Sequence, residues 1–191
     1  LTDVVLSPDE QKIAAYHEAG HAVIGLRDPN TTVERVGIIP RGETLGATLT
    51  PPYEERAIET KSQLIWHIKM LLAGILSERM FLKEGSTSAV NDLRRATELA
   101  TKMVVNWGMA EPDDKICDVK CYDAERYCET VEDAIDALMK KCKQETDGLL
   151  GDNAALLQAI AEKLIAQKTI EYGELIALAQ AHGLNAPKVA Q

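Results

Sequence analysis

Tyr16-His17-Glu18-Ala19-Gly20-His21-Ala22 holds the residues best suited to chemistry in this chain. Two histidines four residues apart on a helix project from one face, with Cβ atoms about 5–6 Å apart. Each can offer one ring nitrogen to a single Zn²⁺ at about 2.0–2.1 Å. Glu18 stands one residue round from His17, so its carboxylate reaches a water activated by such an ion without being a ligand itself. The ion lowers the pKa of water toward about 7 and the carboxylate takes the proton, the division of labour of a metallopeptidase. The pattern also arises by chance in many chains, but here two features favour a metal. Both histidines lie on an apolar helical stripe, where unpaired imidazoles are costly to bury. Ala19 and Gly20 keep that face slim, and these are the only close pair among four histidines.

A catalytic zinc takes a third protein ligand. A third histidine shortly downstream is absent: Ile24 stands where that longer pattern places Gly, and the next histidine is His67. A distant carboxylate is therefore expected, with two candidates. Glu78 lies near the apolar face of a helical pattern over 60–81. Asp92 lies in the first turn of the next helix, where positions 92, 96, 99 and 103 share an inward flank. Spacing alone favours ordinary readings of both, a first-turn or capping charge for Asp92 and a solvated helix charge for Glu78.

The elements that position these residues are mostly helical. Ser7-Pro8-Asp9-Glu10 combines an N-cap, a first-turn proline and a capping box. The stripe Ile13, His17, Gly20, His21, Ile24 follows, ending before Asp28-Pro29-Asn30. Two β-like runs, 32–39 and 45–50, flank Pro40-Arg41-Gly42-Glu43 and predict a small hairpin. Thr60 and Gln63 form a second capping box, opening a helix whose buried face is Leu64, Ile68, Leu71, Leu72, Ile75 and Leu76. After Gly85-Ser86-Thr87-Ser88 a helix runs from about 90 to 107, with the stripe Leu93, Ala96, Ala100, Met103, Val104, Trp107. The stretch 112–129 lacks a clear period, and helical patterns follow at 130–146, 152–167 and 171–182. The predicted fold class is mainly α, with a small β-hairpin or sheet beside the active-site helix.

Composition closes off other classes. The 191 residues carry 21 Lys+Arg against 30 Asp+Glu, a net charge of −9. So acidic a chain is poorly suited to nucleic acid or anionic membranes, and one Phe among 4% aromatics leaves no stacking platform for bases. No apolar run approaches the roughly 20 residues of a membrane span. Leu1–Glu10 is acidic and lacks the basic start of a signal peptide. The opening Leu1 favours a fragment of a longer protein over a stand-alone chain. Cys117, Cys121, Cys128 and Cys142 lack metal-site spacing and read as thiols of a reducing compartment.

Beyond His17–His21, several blocks keep their order and spacing over residues 8–110. They are Val36-Gly37-Ile38-Ile39-Pro40-Arg41-Gly42 with Leu45-Gly46-Ala47-Thr48-Leu49, Leu72-Ala73-Gly74 with Glu78, Ser86-Thr87 through Asn91-Asp92-Leu93, Arg95–Ala100, Met103-Val104, and Trp107-Gly108-Met109. Together they resemble the protease domain of the FtsH family of membrane-anchored AAA+ ATP-dependent zinc metalloproteases. Departures are Ala73-Gly74-Ile75 for the family's Gly-Gly-Arg, Ser88 for a Gly, and Arg79 for a second Glu. None removes a ligand or the base.

The resemblance implies that His17, His21 and Asp92 hold one Zn²⁺ per chain, that Glu18 is the catalytic base, and that Glu78 orients a ligand from behind. It makes Leu45, Gly46, Ala47, Thr48 and Leu49 an edge strand on which an extended substrate is laid by β-augmentation. It divides the chain into a zinc peptidase core at 1–110, a variable cysteine-bearing segment at 111–129 and a helical part at 130–191. The implied activity is zinc-dependent endopeptidase action on unfolded or extended proteins in protein quality control. The implied parent is a membrane-anchored homohexamer, with this domain on the cytoplasmic, matrix or stromal side. ATP would act only through an AAA+ module outside this chain, since Gly37-x4-Gly42 is followed by Glu43 and makes no P-loop. The alternative is a catalytically inactive FtsH-like interaction or assembly module, which Glu18→Gln would separate from an enzyme.

Overall fold

Ser7 opens the first helix as its sequence predicts. Its hydroxyl accepts the Glu10 N–H, and the Glu10 carboxylate accepts the Ser7 N–H at 2.7 Å. The computed structural model describes residues 6–39, 47–49, 58–109 and 124–184. Helix α1 spans Pro8–Arg27, and strands β1 (Arg35–Gly37) and β2 (Ala47–Leu49) follow. Helix α2 spans Lys61–Leu82, a 3₁₀ turn spans Thr87–Ala89, and α3 spans Val90–Val105. Helices α4 (Ala124–Asp152) and α5 (Ala154–Gln167), strand β3 (Thr169–Glu171) and helix α6 (Tyr172–Ala181) complete a mainly α fold. None of the described helices is long and apolar enough to cross a membrane.

Helix α1 forms the axis. A one-sided apolar stripe was expected, but every residue from Ala14 to Leu26 is buried. The small side chains of Ala15, Ala19, Gly20 and Ala22 let neighbours approach on all sides, and α2, α4, α5 and β1 pack against it. The approach of α2 is closest. A Cβ on Gly20 would meet the Ala73 carbonyl and Ser77, and one on Gly74 would drive into the His17 imidazole. These two glycines are therefore required by helix contact and not by backbone conformation.

The predicted strand pair forms, with Val36 opposite Thr48, and a third strand joins it. The sheet order is β2-β1-β3, all antiparallel, with Val36 also opposite Ile170. Strand β3 is only three residues long and gave no period to detect. It is reached from α5 through Lys168 in the left-handed region at φ 66°, whose carbonyl accepts the Ile38 N–H at 3.0 Å. The predicted turn Pro40–Glu43 and the positions Leu45 and Gly46 lie outside the described residues.

The face expected of α2 is buried throughout: Leu64, Ile68, Leu71, Leu72, Ile75 and Leu76. On α3 the expected stripe needs correcting. Ala96, Ala100, Met103 and Val104 are buried, but Leu93 and Trp107 are 39% and 47% exposed. Leu93 follows Asp92 by about 100° around the helix, so turning Asp92 toward α1 turns Leu93 outward. The pattern expected at 130–146 is one longer helix, beginning at Ala124 inside the stretch read as aperiodic and running to Asp152. Gly148 and Gly151 are absorbed within it. Lys69 on α2 ties to α4 through Glu145 at 2.5 Å and lies 4.6 Å over the Trp66 ring. Cys142 is a buried free thiol that burial pushes up to about 11, which leaves it unreactive at neutral pH. Cys117 and Cys121 lie outside the described residues.

Candidate metal centre

Three side chains from two helices converge on one point. His17 and His21 come from the middle of α1, one turn apart, and Asp92 comes from the first turn of α3. His17 Nε2 lies 3.1 Å from His21 Nε2 and 3.2 Å from Asp92 Oδ2. His21 Nε2 lies 3.3 Å from the same carboxylate oxygen. Donor atoms held tetrahedrally at zinc-ligand distances lie about 3.3–3.4 Å apart. The triangle therefore has the size of one face of a zinc tetrahedron. Among the described residues this is the one group of three His, Cys, Asp or Glu whose ligating atoms cluster this way.

The far side of each imidazole is also held. His17 Nδ1–H donates to Glu78 Oε1 at 2.6 Å, and His21 Nδ1–H donates to the Met70 carbonyl at 2.8 Å. Each bond places the proton on Nδ1 and turns Nε2 toward the shared point, the arrangement metal-binding histidines require. Glu78 is not a solvated charge: it is 1% exposed. Its Oε1 also accepts the Ser88 hydroxyl at 2.8 Å, and its Oε2 accepts the Ser86 N–H at 2.6 Å. Of the two carboxylates considered from spacing, Asp92 joins the triangle and Glu78 stands behind it. Glu18 is buried on α1 beside His17.

Charge accounts for the rest of the site. Burial pulls the His17 pKa down, but hydrogen bonds to Asp92 and Glu78 and the charge of Glu18 outweigh it, lifting the value from 6.5 to about 9. Burial likewise pushes Asp92 up, but its hydrogen bonds to His17 and His21 prevail and hold it well below the usual carboxylate range. Without metal, His17 is thus an imidazolium between two carboxylates. Its contribution to stability is fully present below about pH 6.5 and lost as pH rises through about 9. A metal must displace that proton. Zinc uptake at pH 7 is expected to release one proton from His17, and apparent affinity to rise about tenfold per pH unit up to about 9. Calorimetric titrations in buffers of different ionisation enthalpy measure this, and zinc binding with no proton release would contradict it.

Some participants escaped sequence reading. The Met70 carbonyl belongs to the backbone and carries no residue signal. Ser86 and Ser88 read only as a break before the next helix and as part of a family block; in the fold Ser86 caps a 3₁₀ turn, its hydroxyl accepting the Ser88 N–H at 3.3 Å. The strand expected to receive substrate is described only at Ala47–Leu49, where β2 lies beside α1 at one edge of the described sheet.

The sequence model of peptidase family M41 matches residues 4–178. The ATP-dependent zinc metalloprotease FtsH 2 of Thermoanaerobacter sp. (strain X514) is 41% identical over 166 residues, covering 87% of this chain and 32% of the relative. The ATP-dependent zinc metalloprotease FtsH of Magnetococcus marinus is 36% identical over 193 residues, covering 91% of this chain and 28% of the relative. The FtsH 2 protein of Symbiobacterium thermophilum is 35% identical over 175 residues, covering 87% and 30%. The chain thus spans about a third of the length of the curated relatives it matches.

Proposed function

Because the chain belongs to peptidase family M41, we propose that it is a zinc-dependent endopeptidase, the protease part of an FtsH-type ATP-dependent enzyme. The observation that carries this reading is the triangle of His17 Nε2, His21 Nε2 and Asp92 Oδ2, with sides of 3.1, 3.2 and 3.3 Å. Two neutral imidazoles and one carboxylate form a donor set that zinc accepts while keeping an open position.

When bound, zinc supplies Lewis acidity toward a peptide carbonyl and toward water. The chain's own residues do the rest. His17, His21 and Asp92 hold the ion, and Glu78 and the Met70 carbonyl keep the two rings turned toward it. Glu18 takes a proton from the attacking water and returns it to the leaving amine as the C–N bond breaks. The segment Leu45–Leu49 aligns an extended substrate by backbone hydrogen bonds, which suits unfolded chains of varied sequence. The position of β2 at an edge of the described sheet supports that role.

In the whole protein, an AAA+ module delivers unfolded chains at the expense of ATP, and the assembly is a membrane-anchored homohexamer. The names of the relatives support the ATP dependence. The domain limits at 110 and 129 remain part of this proposal.

The test is hydrolysis of an unfolded protein such as casein by the purified chain. Cleavage is expected with zinc, lost on chelation and restored by zinc. Cleavage that survives complete removal of zinc would refute the reading. Glu78→Gln tests the outer support: one end of the amide must then present N–H groups either to His17 and Ser88 or to the Ser86 N–H. Zinc affinity is expected to fall about 10–100-fold, measured by chelator competition. Unchanged affinity would remove Glu78 from the centre.

A further inference from the structure

We propose that Ser88 is a positioning residue of the metal centre, fixing the Glu78 carboxylate against His17 and joining that arm to the turn that sets Asp92. The inference rests on the zinc reading above. Ser88 lies half-buried in the 3₁₀ turn Thr87–Ala89, between α2 and α3. Its hydroxyl donates to Glu78 Oε1 at 2.8 Å, the same oxygen that receives His17 Nδ1–H at 2.6 Å. Its oxygen also lies 3.2 Å from His17 Nδ1.

The direction of every hydrogen bond in this turn follows from chemistry. An ionised carboxylate only accepts, so the single Ser88 hydroxyl proton points at Glu78. The 2.7 Å contact between the Ser86 and Ser88 hydroxyls then has Ser86 donating. The Ser86 N–H takes the other carboxylate oxygen at 2.6 Å. The 3₁₀ turn and its N-cap Ser86 together therefore hold both oxygens of Glu78.

That grip has a mechanical consequence. Glu78 reaches His17 through a side chain with three rotatable bonds. Without Ser88, its Oε1 would be held only by the imidazole whose orientation it is meant to set. With Ser88, the reference becomes the turn, and α3 leaves that turn carrying Asp92 four residues later. A displacement of the turn moves Glu78 and Asp92 together, which preserves the ligand triangle. The second donor on Oε1 also makes that oxygen a weaker acceptor for the Nδ1 proton.

The experiment compares the full chain with Ser88→Ala and Ser88→Thr. Zinc affinity is read by chelator competition, and the His17 Nδ1–H resonance is read by NMR on the zinc-loaded protein. Ser88→Ala is expected to weaken zinc binding about tenfold and to shift that resonance, while Ser88→Thr, which keeps the hydroxyl, restores both. Wild-type zinc binding matched by Ser88→Ala with an unmoved resonance overturns the proposal and leaves the zinc reading standing. A threonine variant as impaired as the alanine variant also overturns it, because the loss then tracks packing and not the hydroxyl. A wild type that binds no zinc overturns both.

Discussion

Glu18→Gln is expected to keep its zinc and to lose peptide hydrolysis. The substitution is isosteric, so α1 keeps its packing where Glu18 is only 7% exposed. The amide also leaves the triangle of His17, His21 and Asp92 untouched, since Glu18 contributes no atom to it. What disappears is the base that takes the water proton and hands it to the leaving amine. Positioned general acid–base groups contribute about 10²–10⁴-fold, so turnover on an unfolded substrate should fall by at least about 100-fold. Zinc content measured on the same samples separates the outcomes. Retained hydrolysis sinks Glu18 as the base and reopens the inactive-module alternative if wild type is equally slow. Lost zinc would show that Glu18 supports the ion instead.

The second large effect is expected from Asp92→Ala. This change removes the one ligand that does not come from α1, leaving two imidazoles on a single helix. Removing an outer partner costs zinc centres about 10–100-fold in affinity, and loss of a direct ligand should exceed that. Metal-free folding should survive, because the Asp92 side chain is 20% exposed and α3 packs through Ala96, Ala100, Met103 and Val104. Hydrolysis should vanish with the metal. Zinc affinity measured beside the melting midpoint distinguishes a lost ligand from a lost fold. Tight zinc binding by a folded Asp92→Ala chain would remove Asp92 from the ligand set.

How much of this was legible in the sequence depended on the kind of signal each residue carried. His17 and His21 were readable because a helix turns a four-residue spacing into one face, and the capping boxes at Ser7 and Thr60 fixed where their helices begin. Asp92 was ambiguous by spacing, since an acidic residue in a first turn is explained by the helix dipole alone. Resemblance to a family, not periodicity, favoured it as a ligand. By spacing alone Glu78 read as a solvated helix charge and only the resemblance implied that it orients a ligand, because the contact depends on the fold bringing His17 across a gap of 61 residues to meet it. Strand β3 went undetected because its pairing with β1 is tertiary and Lys168, a residue with no turn signature, makes the bend. Leu93 was misplaced because an amphipathic count cannot tell which of two adjacent flanks a metal-binding side chain will claim, and Trp107 because α3 ends at Val105, before it.

The same physical logic explains why a slim helix lies at the centre. Gly20 and Gly74 let α1 and α2 approach until the His17 ring lies against the α2 backbone, which leaves one edge of the ring for Glu78 and the other for the shared point. Bulkier residues there would displace the imidazole before any metal arrived.

X-ray absorption at the zinc edge of the zinc-loaded chain tests the central claim most directly. Ligation by His17, His21 and Asp92 predicts a shell of nitrogen and oxygen only, at about 2.0–2.1 Å, with the outer scattering of two imidazoles. Sulfur scattering at about 2.3 Å would place the ion on cysteine and contradict the account.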